Sequence, residues 1–287
     1  MKARLFAVLS AAVLCAIATI PASAASEGNS YLALGDSVPF GFNPNLDPTN
    51  ASNFVGYPEI VAQRLNIEDV NATCPGEATG GFLSLTGTDN VCRPYRFFFK
   101  LPLHVAYSGT QMAFATAYLS SHPNTRLVTL TLGANDVFRF QKDCKAGPTV
   151  GTCPLGIAGV FGVMFNNLNT IFANLRATGY TGLIVALTYY SLDYSDTSGA
   201  AALNMPMIAA ATGHGALIAS GLDAWAATAN GGLSCAAGLL IINLSDGTCD
   251  VHPTPKGRDL LAGAVMDAIA ATCPAETAIG CLNRSEL

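Results

Sequence analysis

Apolar residues along this chain concentrate in five short runs, which are nearly continuous except at 67–72, where polar residues alternate with them. The runs cover residues 31–34, 67–72, 127–132, 183–187 and 239–243. Such runs are typical of strands that are covered on both faces of a parallel sheet. Between the first two, Tyr57, Ile60, Val61 and Leu65 follow the spacing of one helical stripe. Helical patterns are also predicted over 110–120, 155–175, 203–229 and 255–271. Strands that alternate with helices predict an α/β domain with right-handed crossovers.

The N-terminus has the pattern of a secretory signal peptide. Lys2 and Arg4 precede an apolar stretch over residues 5–20, and Pro21 and small residues up to Ala24 follow. A membrane anchor is the alternative, but the stretch is shorter than the roughly 20 residues that span a bilayer. We therefore expect cleavage after Ala24 and secretion of a single domain over residues 25–287, without stable insertion in a membrane. No repeat or linker divides that part of the sequence.

Composition narrows the choice of partners and compartment. The net charge of −5, with 11% charged residues, argues against nucleic acid, which needs a basic surface. Of nine cysteines, Cys15 belongs to the signal segment, and the even set that remains indicates disulfides in an exported protein. Eight cysteines allow 105 pairings; pairing of sequence neighbours is the simplest, Cys74–Cys92, Cys144–Cys153, Cys235–Cys249 and Cys273–Cys281. No C-x-x-C or H-E-x-x-H pattern is present, so no metal or cofactor is expected.

Four polar segments follow predicted strands. They read Gly-Asp-Ser-Val at 35–38, Cys-Pro-Gly-Glu at 74–77, Gly-Ala-Asn-Asp at 133–136 and Asp-Val-His-Pro at 250–253. Ligands of open parallel sheets bind beyond the carboxyl ends of the strands, so these segments are expected to meet at one rim.

The side chains in these segments fit nucleophilic catalysis. Ser37 can be the nucleophile, His252 its general base, and Asp250 the acid that orients the imidazole. The backbone N–H groups of Ser37 and Gly76 and the amide of Asn135 can form an oxyanion hole. A glycine suits position 76 because a backbone that approaches substrate closely leaves no room for a Cβ.

The four segments together resemble the GDSL, or SGNH, hydrolases. That family has Gly-Asp-Ser near the N-terminus, a glycine in a second segment, Gly-x-Asn-Asp in a third and a late His-Pro, and the likeness covers about residues 30–270. The resemblance implies a three-layer α/β/α sandwich like flavodoxin, with a central parallel five-stranded sheet. It also implies hydrolysis of small-molecule or lipid esters without cofactors, with Ser37, Gly76, Asn135 and His252 in the roles above.

Two positions depart from the family pattern. Val38 replaces the usual leucine, a small change. The family's aspartate normally stands three residues before the histidine, where this chain has Cys249, whereas Asp250 stands two before. Either a disulfide at Cys249 reshapes the loop so that Asp250 reaches His252, or a backbone carbonyl orients the ring.

Some functional alternatives stay open at this level. The same residues fit an esterase or lipase, an acyltransferase or a carbohydrate esterase, and an inactive site would leave a lipid- or glycan-binding surface protein. The aromatic runs 97–99 and 189–190 fit either a core or an acyl-chain pocket. The sequence indicates nothing about oligomeric state.

Overall fold

A computed structural model describes residues 29–272 together with residues 280 and 282. The predicted signal peptide and the predicted Cys273–Cys281 pair lie outside the described residues. The other three predicted pairs are confirmed, with Cα separations of 5.6 Å for Cys74–Cys92, 4.9 Å for Cys144–Cys153 and 6.1 Å for Cys235–Cys249.

The centre of the fold is a five-stranded parallel sheet. Its strands are β1 (Ser30–Gly35), β2 (Glu68–Asn71), β3 (Thr125–Thr131), β4 (Leu183–Leu187) and β5 (Leu217–Ala219). They lie in the order β2-β1-β3-β4-β5. The chain moves outward in opposite directions from β1 and β3, so a topological switch point lies between these two strands. The predicted fold class is confirmed.

Helices cover both faces of the sheet. They are α1 (Ser37–Phe40), α2 (Tyr57–Leu65), α3 (Thr79–Leu83), α4 (Gln111–Ser121), α5 (Ala134–Ala146), α6 (Gly156–Ala177), α7 (Ser198–Gly213), α8 (Gly221–Ala229) and α9 (Pro255–Thr272). Side chains of β1 alternate between two cores, as the two-residue period of a strand requires. Tyr31 packs in the core with α2, α8 and α9, and Leu32 packs in the core with α4, α6 and α7.

The prediction for the fifth strand is wrong. Residues 239–243 contribute β6 (Leu240–Ile242), which pairs antiparallel with β7 (Cys249–Pro253) and not with the central sheet. The fifth sheet strand, β5, lies inside the segment predicted as one helix over 203–229. Helix α7 ends at Gly213, and Gly215 turns the chain with a φ of 65° before the strand begins. A three-residue strand between alanine-rich helices leaves no period for sequence analysis to detect.

The segment Cys153–Ala177, which contains α6, is long and apolar enough to cross a membrane by length and composition alone. One stripe of the helix, which includes Met164, Leu168, Phe172 and Leu175, is buried. Leu168, Phe172 and Leu175 belong to the core beside β3 and β4. This pattern is that of an outer-layer helix packed on a sheet.

Candidate active site

Ser37 is held at the carboxyl end of β1 by a sharp turn. The turn passes through Gly35, where φ is 132° and an added Cβ would lie 2.0 Å from the carbonyl oxygen of Thr131, so only glycine fits. Asp36 then caps α1, because its Oδ1 accepts the Val38 N–H at 3.0 Å. Ser37 is therefore the first residue of a helix, where a backbone N–H has no intrahelical acceptor.

Asp36 is a buried centre of hydrogen bonds below Ser37. Its Oδ2 accepts a short hydrogen bond from the Tyr189 hydroxyl and a longer one, of 3.4 Å, from Asn135 Nδ2. Burial raises the pKa of Asp36 to about 6, although the hydrogen bonds from Tyr189 and Val38 oppose the shift. The Tyr189 hydroxyl also accepts the Ala134 N–H at 3.2 Å. The ends of β1, β3 and β4 are thus joined through one carboxyl group.

Asn135 lies in the first turn of α5, directly after β3. Its Oδ1 accepts Asn90 Nδ2 at 2.9 Å, which fixes the orientation of the side-chain amide. The backbone N–H of Asn90 donates to the Gly76 carbonyl at 3.3 Å. Asn90 thereby connects two of the predicted segments. Sequence analysis missed it, because no motif distinguishes it from a loop asparagine.

Gly76 is required for a different reason from the one predicted. Its φ is 79°, and a Cβ would lie 2.5 Å from the Val91 Cβ and 2.8 Å from the Val91 nitrogen. The Val91 N–H donates to the Gly76 carbonyl at 3.2 Å. The Cys74–Cys92 disulfide joins the same two segments of chain. The close approach is to the protein's own chain.

His252 and Asp250 are brought together on β7. Leu240 pairs with Pro253 and Ile242 with Cys249, so three residues of β7 lie opposite one residue of β6. In this bulge Asp250 Oδ1 accepts the His252 backbone N–H at 2.9 Å and makes a short contact with His252 Nδ1. An aspartate two residues before the histidine therefore reaches the ring.

The surroundings of the pair hold it in place. Cys249 is bonded to Cys235, and the Val251 carbonyl accepts the Tyr190 hydroxyl at 2.6 Å. The His252 ring lies 5.0 Å, centroid to centroid, from that of Phe42. Burial by itself would raise the pKa of Asp250, but the hydrogen bonds and charge of His252 outweigh it and the net pKa is lowered.

A cavity of about 680 Å³ is lined by three of the predicted site residues, whereas Asp250 and Gly76 are not part of its wall. Ser37, Asn135 and His252 all line it. The rest of its wall is mainly apolar and includes Val137, Phe138, Phe140, Ile157, Phe161, Leu192 and Leu203. Its volume is in the range of about 300–1,000 Å³ that is usual for small-molecule sites.

The two aromatic runs of the sequence have different environments. Tyr189 and Tyr190 are buried and line the cavity. The run 97–99, in contrast, is exposed to solvent, so its side chains belong neither to the core nor to the cavity.

The sheet order and the polar groups at its switch point define an α/β protein of the flavodoxin-like type with a serine and a histidine in one cavity. The profile of the GDSL-like Lipase/Acylhydrolase family matches residues 33–260, and the chain belongs to that family. Membership supports carboxylic ester hydrolysis as the general class of reaction.

Solved structures with the same fold include three hydrolases of low sequence identity. LAE5, an alpha/beta hydrolase enzyme from the metagenome of Lake Arreo, is 17% identical with a TM-score of 0.52, covering 89% of this chain and 96% of its own. Phospholipase A1 from Streptomyces albidoflavus NA297 is 17% identical with a TM-score of 0.52, covering 84% and 99%. A variant of an acetyl xylan esterase from Geobacillus stearothermophilus is 15% identical with a TM-score of 0.51, covering 84% and 94%. No curated protein matches the chain in sequence.

Proposed function

We propose that the chain is a secreted serine esterase that hydrolyses acyl esters through an acyl-enzyme intermediate. The observation that carries the proposal is that His252, whose Nδ1 contacts Asp250, lines the same cavity as Ser37 and an apolar wall. The three disulfides support secretion, since such bonds persist in oxidising compartments.

The reaction begins with proton transfer from Ser37 to His252. Asp250 occupies the Nδ1 side of the imidazole, so Nε2 is the nitrogen that accepts the Ser37 proton. The Ser37 Oγ bonds to the ester carbonyl carbon, and the tetrahedral intermediate collapses as Nε2 protonates the departing alcohol. Water deprotonated by the same nitrogen then attacks the acyl-enzyme, and the carboxylic acid and free Ser37 are released.

The oxyanion of each intermediate is stabilised by three donors. They are the N–H groups of Ser37 and Gly76 and the Asn135 Nδ2. Asn135 is suited to this role because Asn90 holds its Oδ1 and Asp36 accepts weakly from its Nδ2. A donor that is already oriented costs no reorganisation when charge develops.

The cavity wall favours an acyl chain as the group beside Ser37. Phenylalanine and aliphatic side chains surround the space, whereas the hydroxyls of Tyr189 and Tyr190 are engaged in protein hydrogen bonds. Each methylene of substrate that enters such a wall gains about 0.8 kcal/mol. We therefore expect preference for acyl chains longer than acetyl.

The proposal is tested with p-nitrophenyl butyrate and a fluorophosphonate probe. Ser37→Ala is compared with Ser121→Ala, which changes an exposed serine on α4. We expect wild type and Ser121→Ala to hydrolyse the ester and take the probe, and Ser37→Ala to do neither. Asn135→Ala should stay folded and lose about a hundred- to a thousandfold in kcat. A folded, oxidised wild type that is inert to both reagents would overturn the enzyme proposal in favour of a binding protein.

Secretion is tested separately. The full chain is expressed in an exporting host, and N-terminal sequencing of protein from the medium should begin at residue 25. Retention of residues 1–24 on a membrane-associated product would contradict it.

A further inference from the structure

Three consecutive phenylalanines are presented to solvent on one turn. Phe97 is 48% exposed, Phe98 77% and Phe99 59%. We call these three residues the phenylalanine patch. It occupies the end of a π-helical turn, Pro94–Phe98, and the residue that follows. Contiguous exposure of large apolar side chains on a soluble protein marks an interaction surface.

The backbone beneath the phenylalanine patch is fixed. Tyr95 is buried and its ring packs against that of Phe40, 6.1 Å away between centroids. The Arg96 guanidinium lies 4.0 Å from the Tyr107 ring centroid and donates to the Gly109 carbonyl at 3.0 Å. The Leu101 N–H donates to the Tyr95 carbonyl at 3.0 Å. The rings therefore point outward from an ordered support, not from a loose loop.

The charge around the patch is positive in an otherwise acidic protein. From residue 90 to residue 103 the sequence has three cations and no acid, while the whole chain has a net charge of −5. Arg93 is paired with Asp89 at 3.6 Å. Arg96 bonds two backbone carbonyls, those of Tyr107 and Gly109, and Lys100 is exposed. Glu77 does not neutralise Arg96 at neutral pH, because burial and the charge of Asp89 raise its pKa to about 8.

We infer that the phenylalanine patch docks the protein on an anionic phospholipid surface. The three rings enter the boundary between headgroups and acyl chains, the exposed Lys100 faces the lipid phosphates, and Arg96 adds its positive charge from beneath the rings. The charge distribution selects this partner over an apolar protein surface, which would gain nothing from the two cations. The protein lies on the membrane and does not span it.

Docking at this place has a consequence for the candidate active site. The residues just before the patch are joined to the loop that contains Gly76, because the Val91 N–H donates to the Gly76 carbonyl and Cys92 is bonded to Cys74. The segment that carries the patch also packs on Phe40, the last residue of the helix that begins with Ser37. The patch and the proposed site therefore belong to one rigid unit. The inference goes beyond the proposed function and does not require that the site be active.

The test measures binding to vesicles of phosphatidylcholine mixed with phosphatidylglycerol, and to vesicles of phosphatidylcholine alone. Phe98→Ser is compared with Leu244→Ser, because Leu244 is 84% exposed on another loop. We expect Phe98→Ser to lower the partition coefficient about tenfold, because Phe98 is the most exposed of the three rings and transfer of a phenylalanine side chain out of water is favourable by about 1.5–3 kcal/mol. Leu244→Ser should change it less than about twofold, because an exposed side chain outside the patch meets no lipid.

A second variant tests the electrostatic part. Lys100 has a φ of 53°, a conformation that asparagine tolerates, so Lys100→Asn removes the charge without straining the turn. It should weaken binding to the anionic vesicles about fivefold at low salt and leave binding to phosphatidylcholine alone unchanged. All proteins are produced as the full chain in one exporting host and have the same N-terminus. Differences between them therefore report on the patch.

Two results would overturn the inference. One is equal vesicle binding by wild type and Phe98→Ser. The other is a wild-type dimer, seen by light scattering, that dissociates in Phe98→Ser while neither protein binds vesicles, since a second copy would then cover the patch. Hydrolysis of p-nitrophenyl acetate in solution should be the same for wild type and Phe98→Ser. Failure of the proposed esterase function would leave the vesicle result unaffected.

Discussion

Replacement of Asp250 by asparagine tests the least expected contact of the candidate site. Asp250 Oδ1 accepts the His252 backbone N–H and contacts its Nδ1. Asparagine has nearly the same shape and keeps an oxygen for the backbone N–H, so the bulge in β7 should persist. What disappears is the negative charge beside the imidazolium that forms when Ser37 is deprotonated.

The magnitude follows from that charge. Two unit charges about 4 Å apart interact by about 4 kcal/mol at an effective dielectric constant of about 20. The side chains of His252 and Asp250 are only 12% and 19% exposed, so solvent screens the pair little. Because about 1.4 kcal/mol corresponds to a factor of ten in rate, Asp250→Asn should lower kcat about a thousandfold.

The assay is steady-state hydrolysis of p-nitrophenyl butyrate, with circular dichroism to confirm folding. The matched control is Asp246→Asn, which removes an exposed carboxylate from the β6–β7 loop that bonds only Thr248 among the described contacts. The control should keep wild-type kcat. If Asp250→Asn retained more than a tenth of wild-type kcat, the imidazole would be oriented by a different acceptor, and the proposed role of Asp250 would be wrong.

Three further variants test the cavity, a buried acid and a disulfide. Phe161→Ala should lower kcat/KM for p-nitrophenyl octanoate about tenfold more than for the acetate, because it removes part of the acyl wall. Phe165→Ala, one turn further along the same helix and outside the cavity wall, should not. Glu77→Gln should raise Tm at pH 9 but not at pH 4, as followed by thermal melts. The folded-state pKa of Glu77 is raised to about 8, so its stabilising contribution is complete below about pH 4.5 and is lost as the pH rises through 8. Equal melting curves would contradict that shift. Replacing both Cys235 and Cys249 by serine should lower stability by about 3 kcal/mol and reduce kcat, because it frees the segment before Asp250. Denaturant unfolding and esterase rates measure the two effects, and an unchanged kcat would show that the bulge needs no clamp.

The strands β1, β3 and β4 could be predicted because each is an apolar run in a sheet covered on both faces. The strand β2 was predicted too, although it reads Glu-Asp-Val-Asn and lies partly exposed at the sheet edge. The fifth could not. Its three residues, Leu217–Ala219, continue an apolar composition that begins in α7, whereas 239–243 has the composition of a buried strand but pairs with β7. Composition reports burial, and burial alone does not say which strand is the partner.

The candidate site was predictable only where its residues follow strand ends. Ser37 and Asn135 carry that signal. His252 lies within β7 and not after a strand of the central sheet, and the structure brings it to the same cavity. Asn90 and Tyr189 carry no such signal, because their partners Asn135 and Asp36 lie 45 and 153 positions away in the sequence. The Asp250 contact depends on a register shift between two short strands. Such a shift is decided by pairing and by a disulfide and leaves no mark in the motif itself.

The carboxyl groups around the candidate site suggest how it is kept rigid. Burial raises the pKa of Asp36 and Asp136 to about 6 and that of Glu77 to about 8. The stability that each protonated carboxyl contributes is therefore lost as the pH rises through about 6 for the two aspartates and through about 8 for Glu77. Asp36 and Asp136 nevertheless join separate elements, since Asp36 bonds Tyr189 and Asp136 accepts the Thr79 N–H at 2.9 Å. The Cys74–Cys92 disulfide links the same region and lowers the conformational entropy of the unfolded chain. These buried carboxyl groups cost stability, but they hold the hydrogen-bond donors around Ser37 in fixed orientations. This trade-off is expected at a site whose function depends on oriented donors.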